Sequence, residues 1–257
     1  LKPIKALGQH FLHSEGVIAR IVDCIVRLGG RDLQIVEFGP GPGALTAALL
    51  NEGFKIRAVE VDARMVDALG ERFSEQIASG QLTVLHADAL KLSGSDLASC
   101  QLACGNLPYN VGTEIVMRCF EQWPQLKHFC FMLQKEVVLR FMSQGNEADY
   151  GPLAVKTAWL CKPVEHFWVK PGAFSPPPKV DSGVFSLTRR ANPALDPFND
   201  RDAYLSVSQT MRDFFNHRRK MLRATDPRVK DHPWATRRPQ ELSPDDWIDL
   251  AKHLRNS

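Results

Sequence analysis

Asn106, Leu107, Pro108 and Tyr109 follow a short apolar run, and Asn-x-Pro-aromatic after a strand is a device for holding a planar exocyclic amine. An amide oxygen and a main-chain carbonyl accept from the amine's N–H groups, while the aromatic ring covers the face of the base that bears it. Upstream lies Glu37-Phe38-Gly39-Pro40-Gly41-Pro42-Gly43. Glycines directly after a strand let backbone N–H groups and a helix N-terminus approach a ligand without obstruction by Cβ. The spacing of Gly39, Gly41 and Gly43 is tighter than the dinucleotide fingerprint G-x-G-x-x-G, and no Lys-Ser/Thr pair follows as in a P-loop. A dehydrogenase or an NTPase is therefore disfavoured. Glu60 ends the next strand, where a carboxylate accepts from both hydroxyls of a ribose, and Asp88 ends the one after, facing an adenine amine. The ligand that fits is S-adenosylmethionine, and the predicted chemistry is methylation of adenine N6.

That nitrogen's lone pair is delocalised into the ring and is a poor nucleophile. Accepting its hydrogens at the Asn106 side-chain oxygen and the Leu107 carbonyl favours a pyramidal nitrogen and aims the lone pair at the methyl donor; no covalent intermediate is required. Tyr109 is the first stacking candidate. Phe174, just before Pro176-Pro177-Pro178, is the second, because a stiff proline loop holds a ring at low entropic cost. The competing structural reading is a tight turn with two solvated acidic residues and boundary or core aromatics. Asn-Pro-Pro-Tyr and Asp-Pro-Pro-Tyr, found in DNA-adenine and protein-glutamine methyltransferases, are the nearest motif look-alikes, with Pro where this chain has Leu107.

The elements that carry these residues alternate. Apolar spacing predicts helices over 15–27, with Ser14 as N-cap, 44–50, 63–77 and 111–120, and strands over 34–38, 56–61, 82–86, 102–105 and 128–133. Such alternation predicts an α/β fold with a mostly parallel sheet, whose ligands gather at the carboxyl ends of the strands, where Gly39, Glu60, Asp88 and Asn106 fall. A helix over 152–160 follows, then strands over 164–169 and 183–187 that form an antiparallel pair at the sheet edge. Pro193 and Pro197 mark a linker, and helices over 203–215, 218–224 and 244–254 form a small all-α end. The expected domains are 1–190, catalytic, and 191–257, helical.

The 257 residues suffice for such an arrangement. No apolar run is long enough to span a bilayer and no signal peptide is visible, so a cytoplasmic or organelle-matrix location is expected, with a monomer as the default. Six cysteines are scattered singly without metal-ligand spacing, which points to reduced core thiols and no structural metal. Net charge is only +3, but from Arg189 onward 14 basic and 10 acidic residues leave that segment +4, a pointer to a polyanionic partner.

Five motifs in order resemble the ribosomal RNA adenine dimethyltransferase family, most closely its small-subunit branch. They are Leu7-Gly8-Gln9-His10-Phe11-Leu12, the Glu37–Thr46 loop, Gly105-Asn106-Leu107-Pro108-Tyr109-Asn110, Phe131-Met132-Leu133-Gln134-Lys135-Glu136-Val137 and Phe174-Ser175-Pro176-Pro177-Pro178-Lys179-Val180-Asp181-Ser182. The resemblance implies a Rossmann-like S-adenosylmethionine-dependent methyltransferase fold. It implies cofactor contacts from Gln9, His10 and Leu12, where family members commonly carry Asn in place of His10, and from Gly39, Gly41, Glu60, Asp88, Ala89 and Asn106. At the target base it implies Asn106 and Tyr109, with four methyl transfers onto two adjacent adenosines in the 3′-terminal hairpin of small-subunit rRNA, the partner being the assembling 30S subunit. Phe215 to Leu222 resembles the family's basic helix; Arg218, Arg219, Lys220 and Arg223 then contact rRNA phosphates, or else form a solvated face. The rival readings are a large-subunit enzyme of the macrolide-resistance type, which usually lacks the Pro-Pro-Pro-Lys-Val-Asp-Ser run, and an assembly or transcription factor that keeps the fold for binding.

Overall fold

The structure, a computed structural model, describes residues 9–256; Leu7 and Gly8 of the first motif lie outside that range. The elements begin with β1 (Phe11–Leu12), α1 (Glu15–Gly29), β2 (Gln34–Phe38), α2 (Ala44–Asn51), β3 (Lys55–Glu60), α3 (Ala63–Arg72), α4 (Ser74–Ala78), β4 (Leu82–His86), β5 (Leu102–Asn106) and α5 (Gly112–Glu121). There follow β6 (His128–Gln134), α6 (Lys135–Met142), α7 (Pro152–Leu160), β7 (Cys161–Val169), β8 (Phe174–Ser175), β9 (Ser182–Arg189), α8 (Arg201–Phe215), α9 (Leu222–Thr225) and α10 (Pro244–Asn256).

Seven strands form one sheet in the order β4-β3-β2-β5-β6-β9-β7. The first five are mutually parallel and β9 runs antiparallel to β6. Ile35, Val36, Leu102, Ala103, Phe129 and Phe131 are fully buried, as expected for strands covered on both faces. Chain order reverses on either side of β2, whose neighbours are β3 and β5. A crevice therefore opens at the carboxyl ends of β2 and β5.

Helix α1 buries Ile18, Ile21, Val22 and Ile25, an i, i+3, i+4, i+7 stripe, and Ser14 occupies its N-cap position without a side-chain capping bond. The helix expected over 63–77 is divided at Phe73, whose φ of −118° leaves the helical region. That ring packs against Gly43, where a Cβ would lie 2.6 Å from Phe73 Cε2. A two-stranded sheet missed in the sequence pairs Phe11 with Ser175 and Leu12 with Phe174.

The chain separates into two compact units: one runs to Val138 and resumes over Pro163–Arg189, and the other joins Leu139–Lys162 to the chain from Arg190 onward. The sequence boundary at 190 puts Leu139–Lys162 with the sheet. Within the second unit Trp159 Nε1 donates to the Pro244 carbonyl at 2.8 Å and Tyr150 Oη to that of Leu242 at 2.9 Å. Such contacts at long sequence separation leave no periodic trace. The helix expected over 218–224 is instead a turn at 216–219 followed by the short α9. All six cysteines are free and buried. Among the described residues no helix is long and apolar enough to cross a membrane.

Candidate active site

The carboxyl ends of β2, β3 and β5 border a cavity of about 270 Å³. Gln9, His10, Leu12, Gly39, Gly41, Glu60, Asp88 and Ala89 line it together with Asn106, Leu107, Pro108 and Tyr109. Phe174 does not. Its side chain is 2 % exposed and belongs to the core with Leu12, Phe167 and Val184, because pairing in register with Leu12 turns it inward. In this arrangement the ring expected to cover the base packs in the core instead of lining the cavity.

Glycine is required at two places. Gly41 has φ +54°, and a Cβ there would stand 3.2 Å from the Phe11 ring. A Cβ at Gly105 would run into the Phe38 carbonyl oxygen, so glycine permits the close approach of β5 to β2.

The Glu60 carboxylate accepts from the backbone N–H of Gly41 at 3.1 Å and of Val61 and Asp62 at 3.0 Å each. Burial pushes its carboxyl above the usual range, and these three bonds oppose that. Behind it, Asp62 caps α3 and accepts from Gln9 Nε2 at 3.2 Å; the Arg64 guanidinium holds the Asp62 carboxyl at about 2. Asp88 accepts from Leu90 N at 2.9 Å, opening the short helical turn that carries Ala89.

Asn106 Nδ2 donates to the His10 carbonyl at 2.8 Å. This bond places the amide nitrogen on the N-terminal segment and makes Oδ1 the side chain's acceptor. The His10 ring donates from Nδ1 to the Pro176 carbonyl at 2.8 Å and lies 5.5 Å from the Tyr109 ring, tilted by 31°. Leu107 N is bound to the Met132 carbonyl at 3.1 Å, and Gly112 N donates to the Pro108 carbonyl at 2.8 Å, closing the turn into α5. Tyr109 Oη is hydrogen-bonded to Ser182 Oγ at 2.7 Å, and burial raises its phenol. The acceptor motif is thus held from β6, from β9 and from His10 just before β1, whose ring is in turn tied to the proline loop.

Sequence reasoning assigned no role to Glu37, which also lines the cavity. It is 1 % exposed, accepts from Thr46 Oγ1 at 2.7 Å, and burial pushes its carboxyl from the ordinary 4.5 up to about 7. Its signal in the sequence is slight: one acidic residue inside a five-residue apolar strand.

Among the described residues the lining contains three carboxyl groups, Glu37, Glu60 and Asp88, and neither Lys nor Arg. Such a wall fits a ligand that carries a ribose, an adenine and a net positive charge, which is the chemistry of S-adenosylmethionine. When bound, that molecule supplies an electrophilic methyl group on a sulfonium.

Residues 2–233 match the ribosomal RNA adenine dimethylase family. The chain belongs to that family. Two curated relatives named Ribosomal RNA small subunit methyltransferase A, from Pseudomonas aeruginosa and a Ruegeria species, are each 38% identical to it. Both alignments cover 97% of this chain, with 94% of the Pseudomonas protein and 91% of the Ruegeria protein. The crystal structure of a dimethyladenosine transferase from Plasmodium falciparum, 20% identical, superposes with a TM-score of 0.81 over 96% of this chain and 98% of that one. This rRNA adenine dimethylase uses S-adenosylmethionine as its methyl donor. Its four expected phosphate contacts lie in the second unit. Arg219, Lys220 and Arg223 are exposed. Arg218 is half-buried, with Nε donating to Gln240 Oε1 at 3.1 Å and Nη2 to the Glu147 carbonyl at 3.2 Å.

Proposed function

We propose that the protein dimethylates N6 of two adjacent adenosines in the 3′-terminal hairpin of small-subunit rRNA, as a cytoplasmic monomer acting on the assembling 30S subunit. The observation that carries the reading is the fixed amide of Asn106, whose Oδ1 accepts one N6–H while the Leu107 carbonyl takes the other. Tyr109, clamped through its hydroxyl, covers one face of the base. Extruding the adenine costs a few kcal/mol, offset by ~1–3 kcal/mol per stacked base. Alignment of nitrogen and methyl is worth up to ~7–11 kcal/mol in favourable systems. Glu60 holds the ribose hydroxyls, Gln9, Leu12, Gly39 and Gly41 enclose the donor, and Asp88 with Ala89 meets its adenine. Arg219, Lys220 and Arg223 add phosphate contacts, which position RNA without reading its sequence.

The test is transfer of labelled methyl groups from S-adenosylmethionine to under-methylated small subunits, large-subunit RNA and protein, with nucleoside analysis of the products. Dimethyladenosine confined to the small subunit is the expected result. Label in large-subunit RNA or protein would reassign the substrate, and an absence of label would favour a binding role.

A further inference from the structure

Strand β7 is an edge of the sheet. Successive side chains of a strand point to opposite faces, and here Phe167 and Val169 are buried while Val164, His166, Trp168 and, just past the strand, Lys170 are exposed. Trp168 stands 37% exposed on this edge strand. Its seat is nevertheless built: the ring lies across Gly183, where a Cβ would come within 2.6 Å of Cζ3 and 2.8 Å of Cε3. Glycine at that position of β9 lets the indole lie against the backbone. The His166 ring stands 5.2 Å away, tilted by 59°, and the Lys135 ammonium 5.1 Å from the indole centroid. Lys170, just past the strand, pairs with Asp181 at 2.8 Å, and Lys179 of the proline loop is exposed.

This surface lies at the same end of the sheet as the acceptor site, where β6 ends and β9 begins, on the opposite face of β9. Gly183, under the indole, follows Ser182, the residue that holds the Tyr109 hydroxyl. Lys135 follows β6 directly and donates its N–H to the Asp181 carbonyl at 2.9 Å. Stackable rings beside lysine ammoniums match a polyanion whose bases are unpaired.

We infer that Trp168, with His166 and Lys135, is a stacking platform for an unpaired nucleotide of the RNA substrate that flanks the adenosine held at Asn106 and Tyr109. This rests on the RNA-methylating reading above. A base lies on the indole, and Lys135 turns from the ring to the adjoining phosphate. Splaying a neighbour out of the hairpin stack lowers the cost of extruding the target base, so the platform acts on RNA binding and not on cofactor binding.

The test uses the full chain. Quenching of tryptophan fluorescence by a short unpaired oligoribonucleotide is measured for the wild type and for Trp168→Phe, which retains a stacking ring but removes the reporter. KM for small-subunit RNA is then measured for both proteins and for Trp168→Ala. We expect quenching that Trp168→Phe abolishes, a KM raised about tenfold by Trp168→Ala and mostly restored by Trp168→Phe, and an unchanged cofactor affinity. Quenching that survives in Trp168→Phe, or equal KM values in folded Trp168→Ala and wild type, overturns the platform and leaves the surface to a protein partner. Wild-type protein that shows the quenching but methylates no RNA would instead overturn the methyltransferase reading alone.

Discussion

The Asn106 amide nitrogen donates to the main-chain carbonyl of His10 across 96 positions of sequence, at 2.8 Å. Through this bond the N-terminal segment and the acceptor motif form one site. His10 serves by its carbonyl and by its ring bond to Pro176, so an asparagine at this position would preserve the first of these contacts unchanged.

Replacing Asn106 by alanine removes both the amide anchor and its acceptor oxygen. Turnover should fall by roughly 10²-fold or more, the scale of one lost transition-state hydrogen-bonding group, while cofactor affinity by calorimetry stays within a few-fold. Retained activity would exclude Asn106 from the acceptor role.

Glu60→Ala strands the N–H groups of Gly41, Val61 and Asp62 and removes the ribose acceptor. Cofactor affinity should drop by at least about tenfold, as charge-assisted hydrogen bonds are worth ~1.5–3 kcal/mol each. Unchanged affinity in calorimetry would contradict the ribose assignment.

Glu37 makes stability depend on pH. Its carboxyl rises from the ordinary 4.5 to about 7 on folding, so between those values the folded chain holds a proton that the unfolded chain has released. Its contribution is therefore fully present below about 4.5 and is lost as pH rises toward 7. Glu37→Gln keeps an acceptor for Thr46 and abolishes this loss. In urea unfolding of the cofactor-free protein, the variant should gain on the wild type from pH 5 to 7.5, by on the order of 3 kcal/mol at most. Parallel pH profiles would show that Glu37 is ionised throughout.

Arg219, Lys220 and Arg223 are exposed, whereas Arg218 is tied to Gln240 and Glu147. Alanine at each of the first three should flatten the dependence of log affinity for duplex RNA on log salt by about 0.9 for every phosphate left unneutralised. Arg218→Ala should lower thermal stability more than it changes that slope. Three unchanged slopes would return the surface to ordinary solvation.

The glycine loop, the strands that end at Glu60 and just before Asp88 and the alternation of elements were legible because each is local: 3.6- and 2-residue periods and turn glycines are written in neighbouring residues. Gln9, His10 and Leu12 were legible only through family resemblance, since no period or charge pattern marks them. The seat of Phe174 was not legible, because a ring beside prolines looks the same whether it faces a base or a core, and its burial with Leu12, Phe167 and Val184 arises from residues far apart in the chain. Arg218 looked helical from its neighbours, yet its partners lie 22 and 71 positions away.

By itself the sequence determined the fold class, the donor chemistry and the amine-holding motif, because these rest on residue types at short spacing. Tertiary structure decided which atom of the Asn106 amide is left as an acceptor, which aromatic rings reach the surface, and that Glu37 is buried in the cavity wall. Hydrogen bonds and burial between residues far apart in the chain set those outcomes, and they exist only once the backbone has brought the partners together.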